Sequence, residues 1–134
     1  MQSRFGQLNP FKIDDEYDVQ DLLMAVLKAY IEYPVQEYSL PKVANTKSGR
    51  PDISIEGLGI LIEVKYVRKS LDQTRILKEC FEDLEQYSSW SSLKHLIYLI
   101  YNARLLRDRE SFKTISGDRE KNGKRFHVDF VLLD

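Results

Sequence analysis

The chain is poor in the residues that build anything other than a packed core. One cysteine in 134 residues excludes an internal disulfide and any cysteine cage for a metal. Cys80 falls on the apolar stripe of a candidate helix, so it reads as a buried thiol. The two histidines, His95 and His127, lie on candidate strands without ligand-like spacing, and no chemistry is assigned to them. Four prolines and six glycines are too scattered to make a linker or low-complexity tract, and no repeat is visible. No apolar run approaches a membrane span, and the N-terminus lacks the charged-then-apolar order of an export signal. A cytoplasmic protein without a membrane partner is therefore expected. The formal net charge of −1 gives no global attraction for nucleic acid.

What is present is 43% hydrophobic and 31% charged residues, the balance of one globular domain covering 1–134. Residues 1–13 have no clear period and read as a flexible arm or tail. Charge is unevenly spread. Over residues 14–37, Asp14, Asp15, Glu16, Asp18, Asp21, Glu32 and Glu37 face a single Lys28. Over residues 104–125, Arg104, Arg107, Arg109, Lys113, Arg119, Lys121, Lys124 and Arg125 stand against four acids. A phosphate-contacting surface and a merely solvated face both fit that asymmetry.

Periodicity orders the elements. Asp14 or Asp15 caps a helix to about Tyr33, with Val19, Leu22, Leu23, Val26, Leu27, Tyr30 and Ile31 as its buried face. A first strand is expected over Val35 to Leu40, and two hairpin strands near 51–56 and 60–67. A second helix runs from about Leu71 to Ser88, with Ile76, Leu77, Cys80, Phe81, Leu84 and Tyr87 on one side. Leu96 to Tyr101 is an unbroken apolar run, as in a central strand covered on both faces. A weak helix around Leu105 to Ile115, a polar loop over Gly117 to Lys124 and a last strand over Phe126 to Leu133 complete the chain. The fold class is α/β, a mixed central sheet flanked by helices.

The hairpin carries the chemistry. Pro51-Asp52 is followed, after ten residues, by Glu63-Val64-Lys65. Gly57-Leu58-Gly59 reads as a two-residue turn with Gly57 first, so Ile55 meets Ile60, Ile53 meets Ile62 and Asp52 meets Glu63. Alternation then puts Asp52, Ser54, Leu61, Glu63 and Lys65 on one face and the isoleucines with Val64 on the other. Mg²⁺ takes one or two carboxylates and keeps room for phosphate oxygens. Asp52 and Glu63 are placed to be those carboxylates. Such an ion polarises a phosphoryl oxygen and acidifies water. Lys65 holds or deprotonates the attacking water, or offsets charge on the phosphate. An edge-strand Asp beside a solvated Glu-x-Lys pair is the plainer reading.

Taken together, Pro51-Asp52…Glu63-Val64-Lys65 and the element order resemble the PD-(D/E)xK, restriction-endonuclease-like superfamily with its αβββαβ core. Tyr17-Asp18-Val19-Gln20-Asp21-Leu22-Leu23, Glu37, Ser48-Gly49-Arg50-Pro51-Asp52, Asp83…Tyr87 and Tyr101-Asn102 are similar to the DpnII/MboI-type restriction endonuclease domain, over roughly residues 16–102. Asn102 departs from the Asp common at that position of the family pattern.

The resemblance implies Mg²⁺-dependent hydrolysis of nucleic acid, most often DNA, with Mn²⁺ able to substitute. It implies Asp52, Glu63 and Lys65 as the catalytic set and Asp52, Glu63, the Val64 carbonyl and Glu37 around the metal, although Glu37 fits equally as an exposed loop acid. Arg50, Arg68 and Lys69 become candidate contacts to nucleic acid, although Arg50 fits equally as a partner for an acid of the first helix. Gln20, Asp83 and Tyr87 read as structural, and Trp90 as a cap on a helix–strand corner. Cutting both strands of a duplex calls for a homodimer or a larger complex, as in a restriction or antiphage system. The alternative is a catalytically silent nuclease-fold module that binds nucleic acid or assembles a complex. Such a module tolerates loss of the acids or the lysine, and here all three are present.

Overall fold

Asp15 opens the first helix: its backbone is extended and its carboxylate accepts the Asp18 N–H at 3.0 Å. The structure, a computed structural model, describes residues 12–31, 34–36, 50–121 and 123–134. Helix α1 spans Glu16–Lys28 and is followed by strands β1 (Val35–Gln36), β2 (Ile53–Ile55) and β3 (Ile60–Tyr66). Helix α2 (Asp72–Tyr87) leads to β4 (His95–Tyr101), a short helix α3 (Glu110–Lys113), β5 (Gly117–Lys121) and β6 (Lys124–Leu133). The order α1-β1-β2-β3-α2-β4 is the expected αβββαβ core. No described helix is long and apolar enough to cross a membrane.

The six strands form one sheet in the order β1-β2-β3-β4-β6-β5. β3, β4 and β6 run parallel in its centre, and antiparallel pairs lie at both edges. One sheet face buries Leu61, Leu96, Tyr98, Ile100, Phe126 and Val128 under Ile76, Cys80, Leu84 and Tyr87 of α2. Gln73 fastens the start of α2 to the chain before α3, giving and taking a hydrogen bond of 2.9 Å with the Asp108 backbone. The other face is covered more thinly, by Met24, Leu23 and Leu27 of α1 over Ile53, Ile60, Ile62 and Ile97.

Four expectations are corrected. The buried edge of α1 is Val19, Gln20 and Met24, whereas Leu22, Val26 and Tyr30 are exposed. Apolar residues occupy a wide arc of this helix, so periodicity alone cannot say which edge the narrow sheet contact selects. Gln20 goes inside because the Gln36 side chain donates to it at 3.0 Å.

The hairpin turn is also different. A 3₁₀ turn over Glu56–Leu58 ends at Gly59, whose φ of 70° and not Gly57's conformation makes the reversal. A Cβ on Gly59 would lie 2.4 Å from the Ser92 carbonyl. The register of the strands is nevertheless as expected, with Ile53 opposite Ile62 and Ile55 opposite Ile60.

The polar segment after Gly117 is β5, an edge strand paired to β6. Asp118-Arg119-Glu120-Lys121 has no apolar face and so reads as a loop, yet charges are what an exposed edge strand uses against further pairing. Finally, β4 is fully covered on one face only. Leu96, Tyr98 and Ile100 are buried, while His95, Ile97, Leu99 and Tyr101 are partly open.

Candidate active site

The end of the hairpin away from its turn is clasped by two reciprocal hydrogen bonds. The Asp52 N–H donates to Glu63 Oε2 at 3.0 Å, and the Val64 N–H donates to Asp52 Oδ2 at 2.7 Å. The two carboxylates are thus fixed on one face of β2 and β3 by the backbone of the other strand. Tyr87, buried on α2, donates its hydroxyl to the same Glu63 oxygen at 2.9 Å. Tyr98 holds α2 to the sheet below, donating to the Cys80 carbonyl at 3.0 Å.

Lys65 follows on the same face and is 9% exposed. Its ammonium lies 3.2 Å from Glu79, 3.5 Å from Asp83 and 3.8 Å from Glu63. Glu79, Asp83 and Tyr87 recur at four-residue intervals along α2, so one stripe of the helix faces the hairpin's charged end. Arg75 closes the outer side with a 3.1 Å bond to Glu79.

Carboxylates outnumber cations here, and their protonation records it. Burial raises Glu63 well above its ordinary value, and the neighbouring charges of Asp52 and Asp83 add to the rise. Burial pushes Asp83 up to about 6 despite the nearby Lys65. Its buried Oδ2 accepts no hydrogen bond among the described residues. Burial alone would lower the Lys65 ammonium, but Asp83, Glu63 and Glu79 reverse that and raise it, so the lysine stays charged. Glu16, in the first turn of α1, is raised by burial and feels the charge of Lys65. A hard-oxygen donor set with excess negative charge fits a divalent cation.

The structure therefore brings together Asp52, Glu63, Val64 and Lys65. Arg68 and Lys69 are exposed just past β3. The Arg68 guanidinium lies 5.0 Å over the Tyr66 ring and donates to the Asp14 carbonyl at 3.4 Å, while Lys69 is tied through its backbone N–H to Asp72. Arg50 is exposed two residues before Asp52. Glu37 lies outside the described residues.

The chain matches the family model described as REase_DpnII-MboI over residues 1–128. It belongs to the DpnII/MboI restriction endonuclease family. The likeness thus extends past residue 102 to include β5 and the first half of β6. Membership supports a nuclease-type activity for the DpnII/MboI-type domain. No curated protein and no solved structure matches the chain.

Within the DpnII/MboI-type domain, two further findings revise the sequence reading. Asn102 has a left-handed backbone, φ 68°, and its amide donates to the Val67 carbonyl at 2.9 Å. An Asn both tolerates that conformation and supplies a donor that a carboxylate lacks. Its place is in fastening the ends of β3 and β4.

His95 and His127, passed over above, are partners in the β4–β6 register. With Asp129 they bring three ligand atoms within 4.8 Å of one another. Spacing along the chain could not reveal them, because 32 positions separate residues that a parallel pairing sets side by side. Glu79 and Glu16 were likewise missed. The four-residue stripe Glu79–Asp83–Tyr87 was the one local signal available.

Proposed function

We propose that this DpnII/MboI-type domain is a Mg²⁺-dependent endonuclease that hydrolyses phosphodiester bonds of DNA, in a restriction or antiphage setting. The observation that carries the reading is the Asp52–Glu63 clasp with a buried, charged lysine beside it. Asp52, Glu63 and the Val64 carbonyl would hold Mg²⁺, or Mn²⁺ in its place, with Glu37 as a further carboxylate. When bound, the ion supplies Lewis-acid polarisation of a phosphoryl oxygen and a lowered pKa for water.

The protein's own groups do the rest. Tyr87 and the Asp52 N–H hold one rotamer of Glu63, so the carboxylate needs little reorganisation. Glu79 and Asp83 position the Lys65 ammonium. A lysine whose pKa is raised is a poor base, so of the roles open to it, holding water and offsetting charge on the phosphate are the ones supported. Arg50, Arg68 and Lys69 would meet the flanking phosphates, where exposed cations gain from counterion release. Cutting both strands of a duplex would need two such units, as a homodimer or within a larger complex.

The test is cleavage of supercoiled plasmid, single-stranded DNA and RNA in Mg²⁺, Mn²⁺ and EDTA. Metal-dependent DNA cutting that falls on the order of a hundredfold or more in both Asp52→Ala and Lys65→Ala is expected. No metal-stimulated cleavage of any nucleic acid by the wild type would sink the proposal and favour the silent-module reading.

A further inference from the structure

The open half of the sheet carries a second constellation, on the face away from α2. His95 of β4 and His127 of β6 are direct cross-strand neighbours, their ring centroids 5.2 Å apart. Asp129, two residues on along β6, returns to the same face. Its carboxylate lies between the rings, with Oδ1 3.1 Å from His127 Nε2 and Oδ2 3.6 Å from His95 Nε2. Four ligands at the bond lengths of Zn²⁺ stand about 3.3 Å apart. Both distances bracket that value before any ion draws the groups in.

The other nitrogen of His127 is also engaged. Asp118 of β5 lies opposite His127, and its carboxylate is 2.7 Å from Nδ1. With an ion bound, a carboxylate there would hold the proton on Nδ1, leave the Nε2 lone pair free for the metal, and raise ligand basicity. Asp118 would thus hold the His127 ring in place from behind while its other nitrogen faces the ion. The plainer role, an imidazolium shared by two carboxylates, explains Asp118 and Asp129. His95 adds a second imidazole, its ring edge-on to His127 and its Nε2 3.6 Å from the same carboxylate, so that two nitrogens and a carboxylate converge.

We propose that His95, His127 and Asp129 form a second metal site, for a first-row transition dication such as Zn²⁺, distinct from the carboxylate–lysine site. Imidazole nitrogens select such an ion over Mg²⁺, which demands oxygen. The site is separate in space as well as in chemistry. In the register His95 is level with Ile60 and Asp129 with Ile97 and Ile62, so the two sites are divided by the sheet itself: the acids and Lys65 stand on the α2 face of β3, and Asp129 on the other face of β6, two strands or roughly 10 Å away. The three side chains are 36% to 47% exposed, which leaves entry for the ion and a water to complete its shell. A bound ion would staple the start of β4 to β6, and through Asp118 to the edge strand β5.

The test is a titration of the chelator-treated full chain with Co²⁺ and Zn²⁺ under saturating Mg²⁺, read by visible absorption and calorimetry. One tightly bound Co²⁺ per chain with the intense bands of a four-coordinate site, displaced by Zn²⁺, is expected, together with a higher Tm in Zn²⁺ than in EDTA. Affinity should fall at least tenfold in His127→Gln and in His95→Ala. Asp118→Asn keeps every ligand and should weaken binding by about tenfold. Far-UV circular dichroism checks that each variant folds. Absence of Co²⁺ or Zn²⁺ binding, or binding unchanged in folded His127→Gln and His95→Ala, overturns the proposal. Asp52→Ala should leave this binding intact, and its loss there would assign the ion to the other site.

Discussion

Glu63 sits in surroundings that oppose its charge. It is buried, faces Asp52 and Asp83, and receives only partial relief from Lys65 and the Tyr87 hydroxyl. A carboxyl whose folded pKa is raised costs nothing while protonated in both states, below about pH 4. The cost then grows as pH rises toward the folded value, because the unfolded chain ionises freely and the folded one does not. Asp83 adds the same sign, over a window from about 4 to about 6. Glu63→Gln keeps an oxygen to accept from Asp52 and Tyr87 but removes the charge. In chelator at pH 7.5 it should stabilise the protein by on the order of 1–3 kcal/mol. That gain should vanish below about pH 4. Urea unfolding across pH measures this, and a less stable variant at pH 7.5 would contradict it. Asn102 supplies a second case. Asn102→Ala loses the bond to Val67 and puts an ordinary residue at positive φ, a combined cost of about 2 kcal/mol. Asn102→Gly, relieved of the backbone strain, should cost less in the same denaturation experiment.

At the scale of elements, α2 decides most of the site's geometry, and its own beginning is held by a side chain. Asp72 accepts the backbone N–H of Arg68 at 2.8 Å and of Lys69 at 3.2 Å. Those two bonds turn the chain from β3 into the helix and hold the Asp72 carboxyl below its usual range. The sign is opposite to that of Glu63. Stability from a depressed carboxyl is complete above about pH 4 and is lost as pH falls through the folded value. Asp72→Asn should cost about 1 kcal/mol at neutral pH and remove that part of the acid limb. Thermal melts between pH 3 and 7 test both, and an unchanged acid limb would rule the account out. The same helix places Glu79 and Asp83 around Lys65, so looseness at its start would be felt as a less ordered ammonium.

For the whole molecule, the charge excess around Asp52 and Glu63 makes folding and cation binding linked quantities. An ion that binds only the folded state at a hundred times its Kd adds about 2.7 kcal/mol. For a chain of this size that corresponds to a rise in Tm of about 5–10 °C. Mg²⁺ should therefore raise the Tm of the wild type by several degrees and that of Asp52→Ala little or not at all. Differential scanning fluorimetry in Mg²⁺ and EDTA makes the comparison. An equal rise in both proteins would show that Mg²⁺ stability does not come from this site.

Much of this protein was legible without coordinates, because much of it is local. The 3.6-residue period places α2, the period of two places the hairpin, and the alternation of faces puts Asp52, Glu63 and Lys65 together. All three follow from contacts a few positions apart. What only the tertiary structure decided is non-local. Which edge of α1 is buried depends on the sheet it meets. Whether Lys65 is a base or a fixed cation depends on acids that α2 brings across to β3. That Gly117–Lys121 is a strand depends on the partner edge β6 offers it. The meeting of His95 with His127 and Asp129 requires a parallel pairing between strands far apart in sequence. Local pattern specifies what each segment becomes. The pairing of distant segments specifies which charges share a space, and with them the chemistry.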